Sequence, residues 1–232
     1  MNDLSQYITE KLKINKDIIS KSYTYNYHPK DKKELRSLIE KFLKERGSDA
    51  DLNDIDTSEI TDMGDLFNGL DPHNINISEW DVSSVIDMKR MFNNCKNFNS
   101  DLSKWDISSV KNMQSLFHGC KNFNSDLSNW DVSSVENMLY MFTDCNKFNS
   151  DLSGWDVSSV ENMYCMFFIC SKFNSDLSRW NVSNVENMKY MFYGCLKFNS
   201  DLNRWKVSKV KNMEDMFAGC DSLKNIPSWY KK

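Results

Sequence analysis

The side chains that could do chemistry recur in this sequence at a fixed interval. Cys95, Cys120, Cys145, Cys170, Cys195 and Cys220 stand 25 residues apart, and Asp101, Asp126, Asp151, Asp176 and Asp201 keep the same step. Evenly spaced cysteines in an exported chain read as a disulfide framework. A row of carboxylates reads as a ladder of Ca²⁺ sites. Each of the six cysteines, however, falls on an apolar stripe of helical spacing such as Val135, Met138, Met141, Phe142 and Cys145. Neighbouring helices sit about 8–10 Å apart, beyond the roughly 7 Å that a disulfide spans between Cα atoms. The six are therefore expected to be small buried hydrophobes with free thiols, which suits a reducing compartment. Cys165 lies off the stripe and is expected at the surface, as the thiol most open to reaction.

The aspartate ladder has two readings. Charges about 4.8 Å apart on successive strands repel by roughly 0.9 kcal/mol even in water. Either backbone amides of each Asn-Ser-Asp turn offset this, or calcium does. A second series, Asp81, Asp106, Asp131 and Asp156, drifts to Asn181 and Lys206, so no ligand is required there. His28, His73 and His118 lie far apart and form no ligand cluster. Catalysis needs unlike groups converging on one point, whereas a repeat builds ladders of like groups. No nucleophile–base set and no phosphate loop is present. The expectation is a protein that is not an enzyme and needs no cofactor.

Stepping from these residues to the elements that carry them, Trp80, Trp105, Trp130, Trp155, Trp180 and Trp205 keep the 25-residue step, as do seven methionines from Met63 to Met213. A fixed period of this length marks a solenoid, whose units bury their apolar faces against their neighbours. Seven units run over 48–222. The first is degenerate, with Ile55 in the tryptophan position and Leu70 in the cysteine position, and 223–232 is a truncated eighth that serves as the C-terminal cap. In each unit the stripe after a Ser-x-x-Glu capping box, as in Ser133 and Glu136, predicts a helix of about three turns. The other half, "FNSDLSNW", predicts a strand of three or four residues around Leu127. The expected fold class is α/β: a curved leucine-rich-repeat-like solenoid with one short strand and one helix per 25-residue repeat and an N-terminal α/β cap. Unequal spacing of strands and helices, about 4.8 Å against about 8–10 Å, would bend it by roughly 20° per unit.

The pattern F-N-S-D-L-S-x-W-D-V-S-S-V-x-N-M-x-x-M-F-x-x-C resembles the BspA-like leucine-rich-repeat family of bacteria, with the related 25-residue repeats abundant in mycoplasmas. The resemblance implies a leucine-rich-repeat fold and a surface protein that binds proteins or host molecules.

Residues 1–47 do not repeat. They predict an arm and cap, with a strand at about 23–28 and a helix at about 31–46 ended by Gly47. Leu4 to Ile19 is weakly amphipathic and reads as a helix, an arm or a docking element. Net charge is −4 with both signs mixed, so neither nucleic acid nor a membrane surface is an expected partner. No apolar run spans a membrane, and no leader or anchor is evident, so the expected location is soluble and cytoplasmic or otherwise reducing. Surface or virion association is the alternative, and the chain is expected to be a monomer.

In a constant framework, function belongs where units differ. Leu139, Tyr140, Tyr164, Phe168, Ile169, Tyr190 and Tyr193 gather on the predicted outer helix face of the fourth to sixth units. They read as a partner-protein site, or as rings that pack between neighbouring units. The predicted concave strand face carries a second variable series, including Lys104, Arg179 and Arg204, suited to a long polar ligand. The functional expectation is a non-enzymatic protein–protein interaction scaffold. The alternatives are an adhesin for host protein or glycan, with or without Ca²⁺, and a structural part of a larger assembly.

Overall fold

The computed structural model describes residues 25–231. The segment from Leu4 to Ile19 lies outside the described residues. One helix, α1, spans Lys32–Arg46. Asp31 caps it by accepting from Glu34 N–H at 2.9 Å, and Glu34 accepts in return from Lys30 N–H at 2.9 Å. Gly47 ends the helix at φ 88°, a left-handed value that suits glycine. Leu35, Ile39 and Phe42 face inward and are buried. They cover the first repeat, where Tyr27 makes a single parallel bridge to Ile55 and sets its ring 4.8 Å from Phe42. No strand forms over the described part of 23–28.

The repeats do not have the expected strand-and-helix units. Among the described residues they contain no helix and no strand; each unit is a succession of turns. In the third unit Leu116, His118 and Cys120 donate N–H groups to the carbonyls of Met113, Ser115 and Phe117 three residues back. Their partners in between reach forward: Met113, Ser115, Phe117 and Gly119 donate to Asn137, Leu139, Met141 and Thr143 of the next unit at 2.8–2.9 Å. From Met113 to Gly119 alternate peptides thus lie along the stack with N–H toward the C-terminal end, while Lys111 N–H points the other way, to Ile86 O at 2.9 Å. This ladder runs through all interior units, marked by isolated parallel bridges from Asp62–Asp87 to Asn187–Asn212.

The ring spacing explains why the units hold no helix. Phe67, Phe92, Phe117, Phe142, Phe167, Phe192 and Phe217 stack in one column with centroids 5.1–5.8 Å apart. A packed α-helix per unit needs about 8–10 Å. Helices do not fit a stack this tight, so the chain keeps the short axial step and gives up the helix. The expected source of curvature, a helix row opposite a strand row, goes with it. Two backbone positions per unit are left-handed instead, for example Ser115 at φ 55° and Gly119 at φ 75°. Either would break a helix.

Side chains tie the units together as well. Phe98, Phe123, Phe148, Phe173 and Phe198 form a second ring column at 5.8–6.1 Å. Each repeat tryptophan donates its indole N–H to the carbonyl 28 residues back, as Trp130 does to Leu102 at 3.0 Å. The cysteine thiols do the same, Cys145 to Phe117 at 2.9 Å. Asn124, Asn149, Asn174 and Asn199 each use Oδ1 to accept the N–H 25 residues on, at 2.7–2.9 Å. The last part of the chain continues the first half of a unit: Trp229 stacks on Trp205 at 6.2 Å and donates to Leu202 O.

Candidate functional site

Each unit has a polar half, Asn-Ser-Asp to Trp, and a ladder half, from the valines to Cys. The ladder half carries the aromatic residues. Their grouping arises from turns rather than from a helix face. Tyr140 and Tyr190 occupy the first left-handed position at φ 58° and 57°, and Tyr164 and Phe168 lie beside that position and the next in the intervening unit. Tyr164 meets Tyr140 edge-on at 5.1 Å and Tyr190 at 6.2 Å. Phe168 stacks on Tyr193 at 5.0 Å and meets Tyr190 edge-on at 6.2 Å. Tyr190 also carries Lys189 Nζ 4.7 Å from its ring centre, while Lys189 pairs with Glu214 at 2.7 Å. Hydrogen bonding to Tyr140, then burial, holds the Tyr164 phenol above the usual tyrosine range.

The cluster is half buried at Leu139, Tyr140, Tyr164, Phe168 and Tyr190. It reaches solvent at Ile169 and Tyr193, which are 38% and 37% exposed. Leu196, just past the end of the ladder half and 44% exposed, is an addition that the sequence reading missed. Its signal was available, since the aligned residues are Lys121, Asn146 and Ser171. Ile169 is also a β-branched residue at φ 61°, where the aligned positions are Gly119, Asp144, Gly194 and Gly219.

Cys165 corrects a second expectation. It is buried, only 4% exposed, and burial pushes its thiol up to about 11, so it is not the surface thiol expected. All seven cysteines are free, and the half-buried Cys220 is the most accessible. Burial raises it too, to about 12.

On the polar half, Asp101, Asp126, Asp151, Asp176 and Asp201 each accept the backbone N–H two residues on, at 2.9–3.0 Å. Ser175 and Ser200 of following units add their hydroxyls to Asp151 and Asp176 at 3.2 and 3.1 Å. These backbone bonds, first of all, hold the five carboxyls below the usual carboxylate range. Among the described residues no group of three or more His, Cys, Asp or Glu is arranged to hold a metal ion. Asp176, Arg179, Asp201 and Arg204 are among the residues that line an open cavity of ≈ 530 Å³. A second cavity of ≈ 500 Å³ continues it toward Asp151 and Gly154. Lys104 lies elsewhere on this half and pairs with Glu79 at 2.9 Å. Among the described residues no helix is long and apolar enough to cross a membrane.

Comparison with known proteins returns one family. Its profile, described as "Mycoplasma protein of unknown function, DUF285", matches residues 36–153 and again 120–230. No curated protein and no solved structure matches the chain. The two family matches overlap and together take in α1 from Arg36 onward and nearly all of the stack, so the chain belongs to the DUF285 family of mycoplasma proteins.

Proposed function

We propose that the protein is a non-enzymatic interaction scaffold that holds a partner protein on the aromatic surface of its ladder half. The observation that carries this reading is Ile169. A β-branched residue in the left-handed region costs about 1–2 kcal/mol. Glycine serves the same backbone at Gly119, Gly194 and Gly219 without that cost. Backbone strain that the fold does not require accumulates at binding sites. Ile169 spends it on an exposed apolar side chain beside Tyr193 and Phe168, residue types enriched at protein interfaces. The resemblance of the repeat to BspA-like surface proteins supports recognition over catalysis as well.

The test is affinity capture from a lysate of the source cell, with intact masses of what co-purifies. The native chain is expected to retain a stoichiometric partner. A Tyr193→Ala, Leu196→Ser variant is expected to lose it while still melting in one cooperative transition, a few degrees lower at most because the Tyr193 ring leaves Phe168. Equal capture by the variant removes the aromatic surface as the site. A second reading, a polar chain laid along the polar half, is favoured by the two adjoining cavities that share Asp176 and Arg179. Loss of the same partner from Arg179→Ala, Arg204→Ala alone would select it.

A further inference from the structure

Lysines of the stack pair across units where a carboxylate stands within reach. Lys111 meets Glu136 at 3.6 Å, Lys121 meets Asp144 at 3.3 Å and Lys189 meets Glu214 at 2.7 Å. Lys147, Lys172 and Lys197 depart from this. They occupy one position in the fourth, fifth and sixth units, and all three are exposed. Among the described residues their ammonium groups meet no carboxylate and no other acceptor. In the second and third units the same position is neutral and satisfied, with Asn122 Nδ2 donating to Asn97 Oδ1 at 3.2 Å.

Each of the three lysines precedes a phenylalanine of the second ring column, so the row advances with that column. Ring centroids step by 5.9 Å from Phe148 to Phe173 and by 6.1 Å from Phe173 to Phe198. Like charges at this spacing repel, and no side chain of the described residues offsets them. The row closes the same three units that carry the aromatic cluster. Leu196 immediately precedes Lys197, and Ile169 stands three residues before Lys172. Basic charge and exposed apolar surface therefore adjoin in the units that differ most from the others.

We propose that the partner is a polypeptide with an extended acidic segment. Its alternate carboxylates sit on Lys147, Lys172 and Lys197, and an adjoining apolar side chain sits on Leu196 and Tyr193. This rests on the reading of the aromatic surface as a partner site. Alternate residues of an extended chain face one side about 6.6 Å apart. The mismatch with the lysine step reaches about 1 Å over the row, within the reach of flexible four-carbon stems. Complementary charge of this kind fixes register and excludes wrong partners. A nucleic-acid strand fits less well. Bases stack on open ring faces, yet Tyr193 already stacks on Phe168 at 5.0 Å, and its exposed neighbours Ile169 and Leu196 are aliphatic. The net charge of −4 also opposes a long polyanion.

The probe is a fluorescein-labelled peptide, Glu-Thr-Glu-Thr-Glu-Gly-Leu-Phe, titrated into the full chain at low salt and followed by anisotropy. It is expected to bind one to one. An isomer with its three glutamates adjacent is expected to bind at least fivefold more weakly. Lys147→Gln, Lys172→Gln, Lys197→Gln together are expected to weaken binding at least tenfold. Lys30→Gln, Lys33→Gln, Lys44→Gln remove the same charge from exposed positions on or beside α1 and are expected to change it less than twofold. Tyr193→Ala, Leu196→Ser is expected to weaken it at least threefold. Loss in that aromatic variant with full binding in the Lys147, Lys172, Lys197 variant overturns the acidic segment and leaves the aromatic surface standing. The converse removes the aromatic surface, and the proposal with it. The proposal is also overturned by no binding at millimolar peptide, by equal binding of the isomer, or by equal weakening in the α1 variant. Tighter binding of a labelled thymidine octanucleotide overturns it in favour of nucleic acid.

Discussion

Two residues show how this backbone holds its unusual conformation. Ile169 carries its side chain at φ 61° with Cγ1 close to Gly194 of the next unit. Glycine there relieves a left-handed cost of about 1–2 kcal/mol and adds back about 0.5–1 kcal/mol of backbone entropy. Ile169→Gly is therefore expected to stabilise the chain by up to about 1 kcal/mol, read as a higher urea midpoint at unchanged slope, while weakening partner capture. A lower midpoint would show that Ile169 belongs to the framework. Asp151 is the opposite kind of residue. Its carboxylate accepts from Ser153 N–H and Ser175 Oγ, and the backbone bond lowers its pKa. A folded pKa below the unfolded value of about 3.9 contributes stability above that pH and loses it as pH falls through the folded value. The other four ladder aspartates shift the same way, so the melting temperature is expected to fall as pH drops below about 4. At pH 7 Asp151→Ala is expected to cost about 1 kcal/mol, the value of one hydrogen bond. Asp151→Asn keeps an acceptor and is expected to stay near the native stability while flattening the acid response.

At the scale of the element, the unit and its interior were legible in the sequence and its secondary structure was not. The period and the buried stripe of Val, Met, Phe and Cys depend only on side-chain spacing. That spacing is common to an α-helix and to chained three-residue turns, because both return the chain to one face every three or four residues. What separates them is the left-handed positions. The first holds Arg90, Ser115, Tyr140, Cys165 and Tyr190 in the interior units, residues that do not announce a positive φ, and an aspartate only in the outer ones, Asp65 and Asp215. The second holds Gly69, Asn94, Gly119, Asp144, Gly194 and Gly219, a breaker at nearly every repeat of a supposed helix end, and this was the available warning. The aromatic cluster was found because the units differ there, at positions three or four apart, while Leu196, apolar where Lys121, Asn146 and Ser171 are polar, was missed because it lies past the end of the supposed helix. The tie between elements is the tryptophan. Trp130→Phe keeps a stacking ring but removes the indole N–H from Leu102 O. The expected cost is about 1–2 kcal/mol, from a lost buried hydrogen bond and a smaller ring, measured by chemical denaturation. A cost near zero would mean that stacking alone joins the units.

Across the whole molecule, every interior unit makes the same contacts with the unit before it and the unit after it. Ladder bonds reach 24 residues forward, and indole and thiol bonds reach 28 residues back. Stability in such a stack is approximately a sum of unit and nearest-neighbour terms, with special terms only at the ends. The ends here are α1 with Arg36 on one side and the Trp229 segment on the other, and neither touches the fourth unit's core. Removal of residues 131–155 joins Trp130 to Asp156, which rebuilds the W-D-V-S-S-V-E-N-M sequence without change. Asn112 then faces Asn162 as it faced Asn137, and Phe117 meets Phe167 in place of Phe142. The shortened chain is expected to fold, to melt in one cooperative transition and to lose a few degrees at most. Removal of 24 residues in the same place is a smaller change in mass but a larger one in register. It moves every later side chain one position against the ladder, so indoles miss their carbonyls and left-handed positions receive core residues. That chain is expected to lose near-ultraviolet tryptophan dichroism and its cooperative melt. If the 25-residue deletion fails as well, the units are not interchangeable, and the fourth repeat holds contacts beyond its two neighbours.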